Sequence, residues 1–209
     1  MVKAIIFDCW STLFYKEVSF TGDLSNCLKL ENNYDFEKRV EKSLMLSPCL
    51  DKFEAANRLL TDFGISPEKE NISKVSEILG MSWRAKPYPQ TLETLQELKD
   101  KDYKLAIISN AFSLSFEEVV SEYALAEIFD VIIVSYEVGL LKPDPRIFKR
   151  CLEKLKVKKD KVLMVGDSLK DDIEAAQSFG IKSLMLDNKN KHPEYSPRVT
   201  SIKDIFSYL

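Results

Sequence analysis

The stretch Val2-Lys3-Ala4-Ile5-Ile6-Phe7-Asp8 decides the fold. It is a short apolar run rich in Val, Ile and Phe that stops at a carboxylate, as a buried strand does where it opens into a polar loop. The pattern recurs downstream: residues 103–108 end at Ser109-Asn110, 131–134 at Ser135, 161–165 at Gly166-Asp167 and 182–186 at Asp187. Stretches with helical spacing lie between these runs, at 90–101 (Leu92, Leu95, Leu98), 114–124, 145–155 and 170–179, the last followed by Gly180 as a C-terminal stop. Alternation of this kind predicts an α/β fold, a doubly wound parallel sheet covered by helices on both faces, with ligands bound at the carboxyl ends of its strands.

The region from about Tyr15 to Arg84 breaks the alternation. It carries no convincing strand, and helical patterns run over 24–30, 36–46, 52–63 and 67–79. The expected division is therefore a core domain of residues 1–14 and 87–209, interrupted by a helical cap domain of residues 15–86. Leaving directly after the first strand, the insertion is placed to cover that strand's carboxyl end and exclude water.

Composition narrows the chemistry. The chain has 209 residues, 45% hydrophobic and 30% charged, with a net charge of −3, which describes a globular protein able to bury a core. Basic residues are dispersed, and the run from Lys154 to Lys161 is interrupted by Val157 and Asp160, so no nucleic-acid surface is expected. No stretch approaches the roughly 20 apolar residues of a membrane span, and a cytoplasmic protein without a membrane partner is expected. The four cysteines, Cys9, Cys27, Cys49 and Cys151, lack Cys-x-x-Cys spacing. They support neither a zinc site nor a disulfide framework. The single histidine, His192, lies in a Lys-Asn-Lys-His-Pro loop, which removes Ser-His-Asp triads, Cys-His pairs and multi-histidine metal sites together. Carboxylates, Lys, Ser and Thr remain.

Asp8, Ser109 and Asp167 each follow a strand-like run, so a parallel sheet brings all three to one edge. Two facing carboxylates repel unless one is protonated or a cation lies between them, and hard oxygen ligands favour magnesium. Either aspartate could instead cap a loop or a helix.

Four segments carry a resemblance. Ile5-Ile6-Phe7-Asp8-Cys9-Trp10-Ser11-Thr12-Leu13 resembles the first motif of the haloacid dehalogenase superfamily and Ile107-Ile108-Ser109-Asn110 its second. Gly139-Leu140-Leu141-Lys142-Pro143-Asp144-Pro145 resembles the third, and Val165-Gly166-Asp167-Ser168-Leu169-Lys170-Asp171-Asp172-Ile173 the fourth. Their order and spacing span nearly the whole chain, and the helical insertion falls where that family often places its cap.

The resemblance implies a magnesium-dependent phosphatase acting on a small phosphorylated substrate. Asp8 would be the nucleophile and form an aspartyl intermediate. Ser109 and Lys142 would be catalytic, the lysine neutralising charge on nucleophile and transferring group. Main-chain groups at Cys9 and Trp10, with Thr12 and Asn110, would contact substrate. Asp8, Asp167, the Trp10 carbonyl and Asp172 would form the metal site, Asp172 acting on Lys142 or the metal shell from behind. Asp171 is assigned only a helix N-terminal charge. A monomer or homodimer satisfies these expectations.

The sequence departs from the pattern at one position. Many phosphatases of the family carry a second aspartate two residues after the nucleophile, as general acid and base. Trp10 stands there, and indole exchanges no protons near neutral pH. An aromatic at this place is reminiscent of metal-independent L-2-haloacid dehalogenases, the alternative reading, in which Asp8 displaces halide and a cationic cap residue receives halide or carboxylate. Arg39 is the candidate, with Arg58 and Arg84 competing. Gly166-Asp167, which such dehalogenases lack, favours the phosphatase. Leu44, Met45, Phe53 and Trp83 are read as insertion core, with an apolar pocket wall as the alternative.

Overall fold

The computed structural model describes residues 1–16, 20–81 and 85–209, so Trp83 and Arg84 lie outside the described residues. Strand β1 (Ala4–Phe7) is central. Its alternate residues serve opposite faces: Ile5 and Phe7 enter one apolar cluster, Ala4 and Ile6 the other. Because both faces are buried, the strand reads as a continuous apolar run rather than an alternating one.

The chain continues into β2 (Phe14–Lys16), then helices α1 (Phe20–Leu28), α2 (Tyr34–Leu44), α3 (Lys52–Asp62) and α4 (Lys69–Met81), and returns through β3 (Ala85–Pro87). After it come α5 (Thr91–Asp100), β4 (Lys104–Ser109), α6 (Ser113–Glu122), α7 (Leu125–Ile128), β5 (Val131–Val134), α8 (Ser135–Val138) and α9 (Pro145–Leu155). The last part holds β6 (Val162–Gly166), a wide π-type turn (Leu169–Glu174) running into α10 (Ala175–Phe179), β7 (Lys182–Leu186) and β8 (Arg198–Val199).

Six parallel strands form one sheet in the order β5-β4-β1-β6-β7-β8. The order reverses at β1: the chain winds outward through β4 and β5, then returns to β6 and winds the other way. A crevice opens at such a switch point, at the carboxyl ends of the strands. Asp8 follows β1, Ser109 closes β4 and Asp167 follows β6, so the expected convergence is observed. Gly180 ends α10 with a left-handed φ of 88°, as expected of a helix stop.

Two parts of the sheet structure escaped the sequence reading. Residues 14–16 and 85–87 pair as an antiparallel ribbon, Phe14 with Pro87 and Lys16 with Ala85, at the base of the insertion. The ribbon straddles the expected boundaries at 15 and 86, and three-residue strands are too short to show a period. The two-residue β8 follows Pro197 and has no periodic signal either.

Helices α1 to α4 share a cluster of their own, including Leu24, Phe36, Val40, Leu44, Leu59 and Leu79, to which Phe112 of the sheet domain is added. Asn33 accepts the Phe36 N–H and Asp51 those of Phe53 and Glu54, starting α2 and α3 by ordinary capping. Leu44 and Met45 belong to this core as expected, Met45 also reaching a cavity wall, whereas Phe53 is exposed. No helix among the described residues is long and apolar enough to cross a membrane.

Candidate active site

The turn after β1 presents Asp8. The Asp8 N–H donates to the Val165 carbonyl of β6, and the Leu13 and Phe14 N–H groups return to the Cys9 carbonyl, closing a tight loop. Ser11 in that loop holds a left-handed φ of 62°. Asn188, just beyond β7, donates its side-chain amide to the Ser11 carbonyl at 3.0 Å and the Thr12 carbonyl at 3.1 Å, tying the turn to the neighbouring strand end.

Lys142 reaches this turn from the loop before α9. Its Nζ donates to Asp8 Oδ1 at 2.6 Å and to Asp172 Oδ1 at 2.5 Å, and all three side chains are buried. Burial, which alone would lower the lysine's pKa, is outweighed by the Asp172 and Asp8 carboxylates, so the ammonium is held protonated. Asp172 Oδ2 accepts the Ser168 N–H at 3.0 Å, which engages both of its oxygens. Burial raises Asp172 to about 6 against the opposing pull of Lys142.

Asp167 completes the group. One carboxylate oxygen from each of Asp8, Asp167 and Asp172 lies within 4.8 Å of the others. Burial first, then the Asp8 and Asp172 charges, push Asp167 up to about 8. Thr12 Oγ1 is 3.5 Å from Asp167 Oδ1. One ammonium therefore faces two buried carboxylates and a half-buried third. A second cation is the direct way to balance such a hard-oxygen cluster.

Two adjoining cavities open here. The smaller, about 110 Å³, is walled by Asp8, Asp167, Asp171, Asp172, Lys142 and Ser168 together with Trp10, Glu41 and Asn110. Trp10, Glu41 and Asn110 also line the larger one, about 490 Å³, between the sheet edge and helices α1 and α2. Asn110 fixes the approach of Lys142, accepting its N–H at 2.8 Å and donating to its carbonyl at 3.2 Å. Ser109 is fully buried at the end of β4, its hydroxyl 3.5 Å from the Asn110 carbonyl.

Some expected site residues are placed differently. The Cys9 side chain turns into the core, where burial raises its thiol pKa, leaving its main chain as the part that can face a ligand. Arg39 is not brought to the cavities. It is exposed, with its guanidinium 4.1 Å over the Phe63 ring and 3.4 Å from the Asp62 carbonyl. A guanidinium stacked on an adjacent aromatic gains a cation–π contact while staying in water. Arg58 is held by Ser47, Pro48 and Glu54.

Asp171 does more than charge a helix end. Its Oδ2 accepts Lys38 Nζ of α2 at 2.7 Å, and Lys38 also binds Glu41 at 2.8 Å, so this aspartate links the insertion to the sheet domain. The sequence reading missed Lys38, Glu41, Asn188 and Lys16. Only their folded neighbours distinguish them from surface polar residues.

A switch-point crevice holding a buried Asp-Lys-Asp chain and a third carboxylate is a carboxylate-based catalytic site on an α/β fold. The chain belongs to the haloacid dehalogenase-like hydrolase family, whose profile matches residues 2–180, and is a hydrolase. Over 104 residues it is 33% identical to a glyceraldehyde 3-phosphate phosphatase of Methanothermobacter thermautotrophicus, a match covering 50% of this chain and 46% of that protein, so it spans about half of that relative's length. A protein of the same name from Methanopyrus kandleri is 29% identical over 95% of this chain and 89% of its own. Among solved structures, a 2-haloacid dehalogenase from Pseudomonas syringae shares the fold, with a TM-score of 0.68 at 20% identity, covering 99% of this chain and 97% of that one.

Proposed function

We propose that this hydrolase is a magnesium-dependent phosphatase that releases phosphate from a small monoester through an aspartyl-phosphate on Asp8. The observation that carries the reading is the buried Asp8-Lys142-Asp172 chain with Asp167 beside it, an arrangement with more carboxylates than its one ammonium can neutralise. The phosphatase names of the two relatives support it.

Asp8 and Asp167 would hold the magnesium ion with the Trp10 carbonyl, while Asp172, whose oxygens are both engaged, positions Lys142. When bound, the ion supplies positive charge to the phosphoryl oxygens and offsets repulsion between phosphate and carboxylates. An Asp8 oxygen attacks phosphorus as the bond to the leaving oxygen breaks. Lys142, Ser109 and the main-chain N–H groups of the turn stabilise the charge spread over the phosphoryl group. Water then attacks the same phosphorus, the bond to Asp8 breaks, and inorganic phosphate leaves. Trp10 can neither give the leaving oxygen a proton nor take one from the water, so both protons are exchanged with solvent or another group.

Helices α1 to α4 act in this reading as a cap, fastened to the sheet domain by Lys38 and Asp171, with α1 and α2 forming one wall of the larger cavity. Metal-independent dehalogenation draws on Trp10 alone. It uses Asp8 but leaves Asp167 beside it without a role, and Arg39, its candidate halide receiver, packs on Phe63.

The test is release of phosphate from p-nitrophenyl phosphate, with magnesium and with EDTA, alongside halide release from 2-chloropropionate. Magnesium-dependent phosphate release, abolished in Asp8→Asn, is the expected result. Metal-independent halide release would overturn the proposal.

A further inference from the structure

Lys16, the last residue of β2, lines the larger cavity beside Trp10. Its Nζ lies 4.1 Å from the Trp10 ring centroid and 5.7 Å from that of Phe20. The ammonium donates to Ser115 Oγ at 3.2 Å, and that hydroxyl donates in turn to the Phe112 carbonyl at 3.2 Å. No ion pair among the described residues involves it, in contrast to Lys38 and Lys142 on either side of the crevice, which each bind two carboxylates. Withdrawal from water lowers its pKa to about 8.

Glu118 acts on the ammonium only through space, without an ion pair; an ammonium half-buried among aromatic rings and one hydroxyl is costly to keep unless an anion meets it. A methionine or leucine would fill the same aromatic surroundings without that cost. The two cavities share Trp10, Glu41 and Asn110, so a ligand with its phosphate against Asp8 can extend past the indole edge towards Lys16. Glu37 and Glu41 on the α2 wall repel a highly charged tail. A lysine is a single point charge, suited to one negative charge rather than to a planar bidentate contact.

We propose that Lys16 is a specificity-determining residue that receives a carboxylate on the substrate, which makes the substrate class a small phosphorylated carboxylic acid. This rests on the phosphatase reading and narrows it. Trp10 is the partition between the phosphate end and the carboxylate end, and Ser115 holds the lysine's direction.

The test compares 2-phosphoglycolate with 2-hydroxyethyl phosphate, which differ by a carboxylate against a hydroxymethyl group. The wild type is expected to favour 2-phosphoglycolate in kcat/KM by about tenfold or more, the scale of one charge-assisted contact. Lys16→Met should remove that preference, mainly through KM. Lys16→Gln keeps an N–H donor on the same path to Ser115, one carbon shorter, but not the charge, and should remove it too. Equal treatment of the two esters by the wild type, or an unchanged preference in both variants, overturns the assignment. Calorimetric binding of the same esters to Asp8→Asn, with and without Lys16→Met, reads the preference without turnover. A carboxylate preference in binding that depends on Lys16, in a protein that releases no phosphate from any ester, would count against the phosphatase reading alone. No such preference in binding would count against Lys16 alone.

Discussion

Asp172 packs its carboxylate against the bare Cα of Gly166, where a Cβ would fall 2.6 Å from the aspartate's own Cβ and closer still to its carboxylate. Gly166 ends β6 without a positive φ, so the requirement is space rather than backbone freedom. Since Asp172 directs Lys142, and Lys142 touches Asp8, a methyl group added here acts on the nucleophile through two side chains.

Gly166→Ala is therefore expected to lower kcat about 100-fold, the scale of losing one preorganised charge contact. It should also cost about 1–3 kcal/mol of stability through overpacking. Kinetics and urea melts of the purified variant check both. Full activity would mean that Asp172 can yield without moving Lys142.

Magnesium should be visible without turnover. At concentrations well above Kd, a ligand bound only by the folded state adds about 2.7 kcal/mol at 100-fold excess, equivalent to a rise of about 5 °C or more in Tm for a chain of this size. Asp167→Asn removes one of the three crowded carboxylates, so its Tm in EDTA should exceed that of the wild type while its response to magnesium is lost. A magnesium-induced rise equal in both proteins would exclude Asp167 as a ligand.

Much of this was legible in the sequence, and the reason is local. The five longer strands of the sheet are apolar on both faces and end at polar residues, so each announces its own position, and the order of the motifs then places Asp8 and Asp167 on one edge. Gly180 is legible for the same reason. The ribbon of residues 14–16 with 85–87 depends on partners some 70 positions apart and carries no period. Arg39 was read as a site residue from its distance along the chain, yet its direction is set by Phe63, which no spacing rule supplies. Lys16 was invisible because its meaning lies in what surrounds it: two rings, one hydroxyl and, among the described residues, no ion-paired carboxylate.

Trp10 predicts a dependence on leaving group. With no proton donor at this position, departure of a poor leaving group such as an alkoxide should be slow relative to p-nitrophenolate. Trp10→Asp should restore hydrolysis of alkyl esters selectively, within the roughly 10² to 10⁴ that general acid catalysis supplies. A plot of log kcat against leaving-group pKa should be steeper for the wild type. Parallel plots would show that another group already delivers the proton.

Asp187, just past the end of β7, ties acid stability to the loop beside the nucleophile. Its carboxylate accepts the Lys191 and His192 N–H groups, each at 2.8 Å, and faces Arg198 at 3.5 Å. Burial alone would raise its pKa. The His192 and Lys191 N–H groups, with Arg198, outweigh it and hold the group below its ordinary value. A depressed carboxylate pKa contributes stability that is present above the unfolded value of about 3.9 and is lost as pH falls towards the folded one. Asp187→Asn should thus be less stable than the wild type by about 1–2 kcal/mol at pH 7. The gap should narrow as pH drops below about 4, in denaturant melts run from pH 7 to pH 3. The same loop carries Asn188, which ties down the Ser11 and Thr12 carbonyls beside the nucleophile, so the variant should lose activity at pH 7 as well. A stability gap that stays constant over that range would mean that the shape of this side chain, and not its charge, holds the loop.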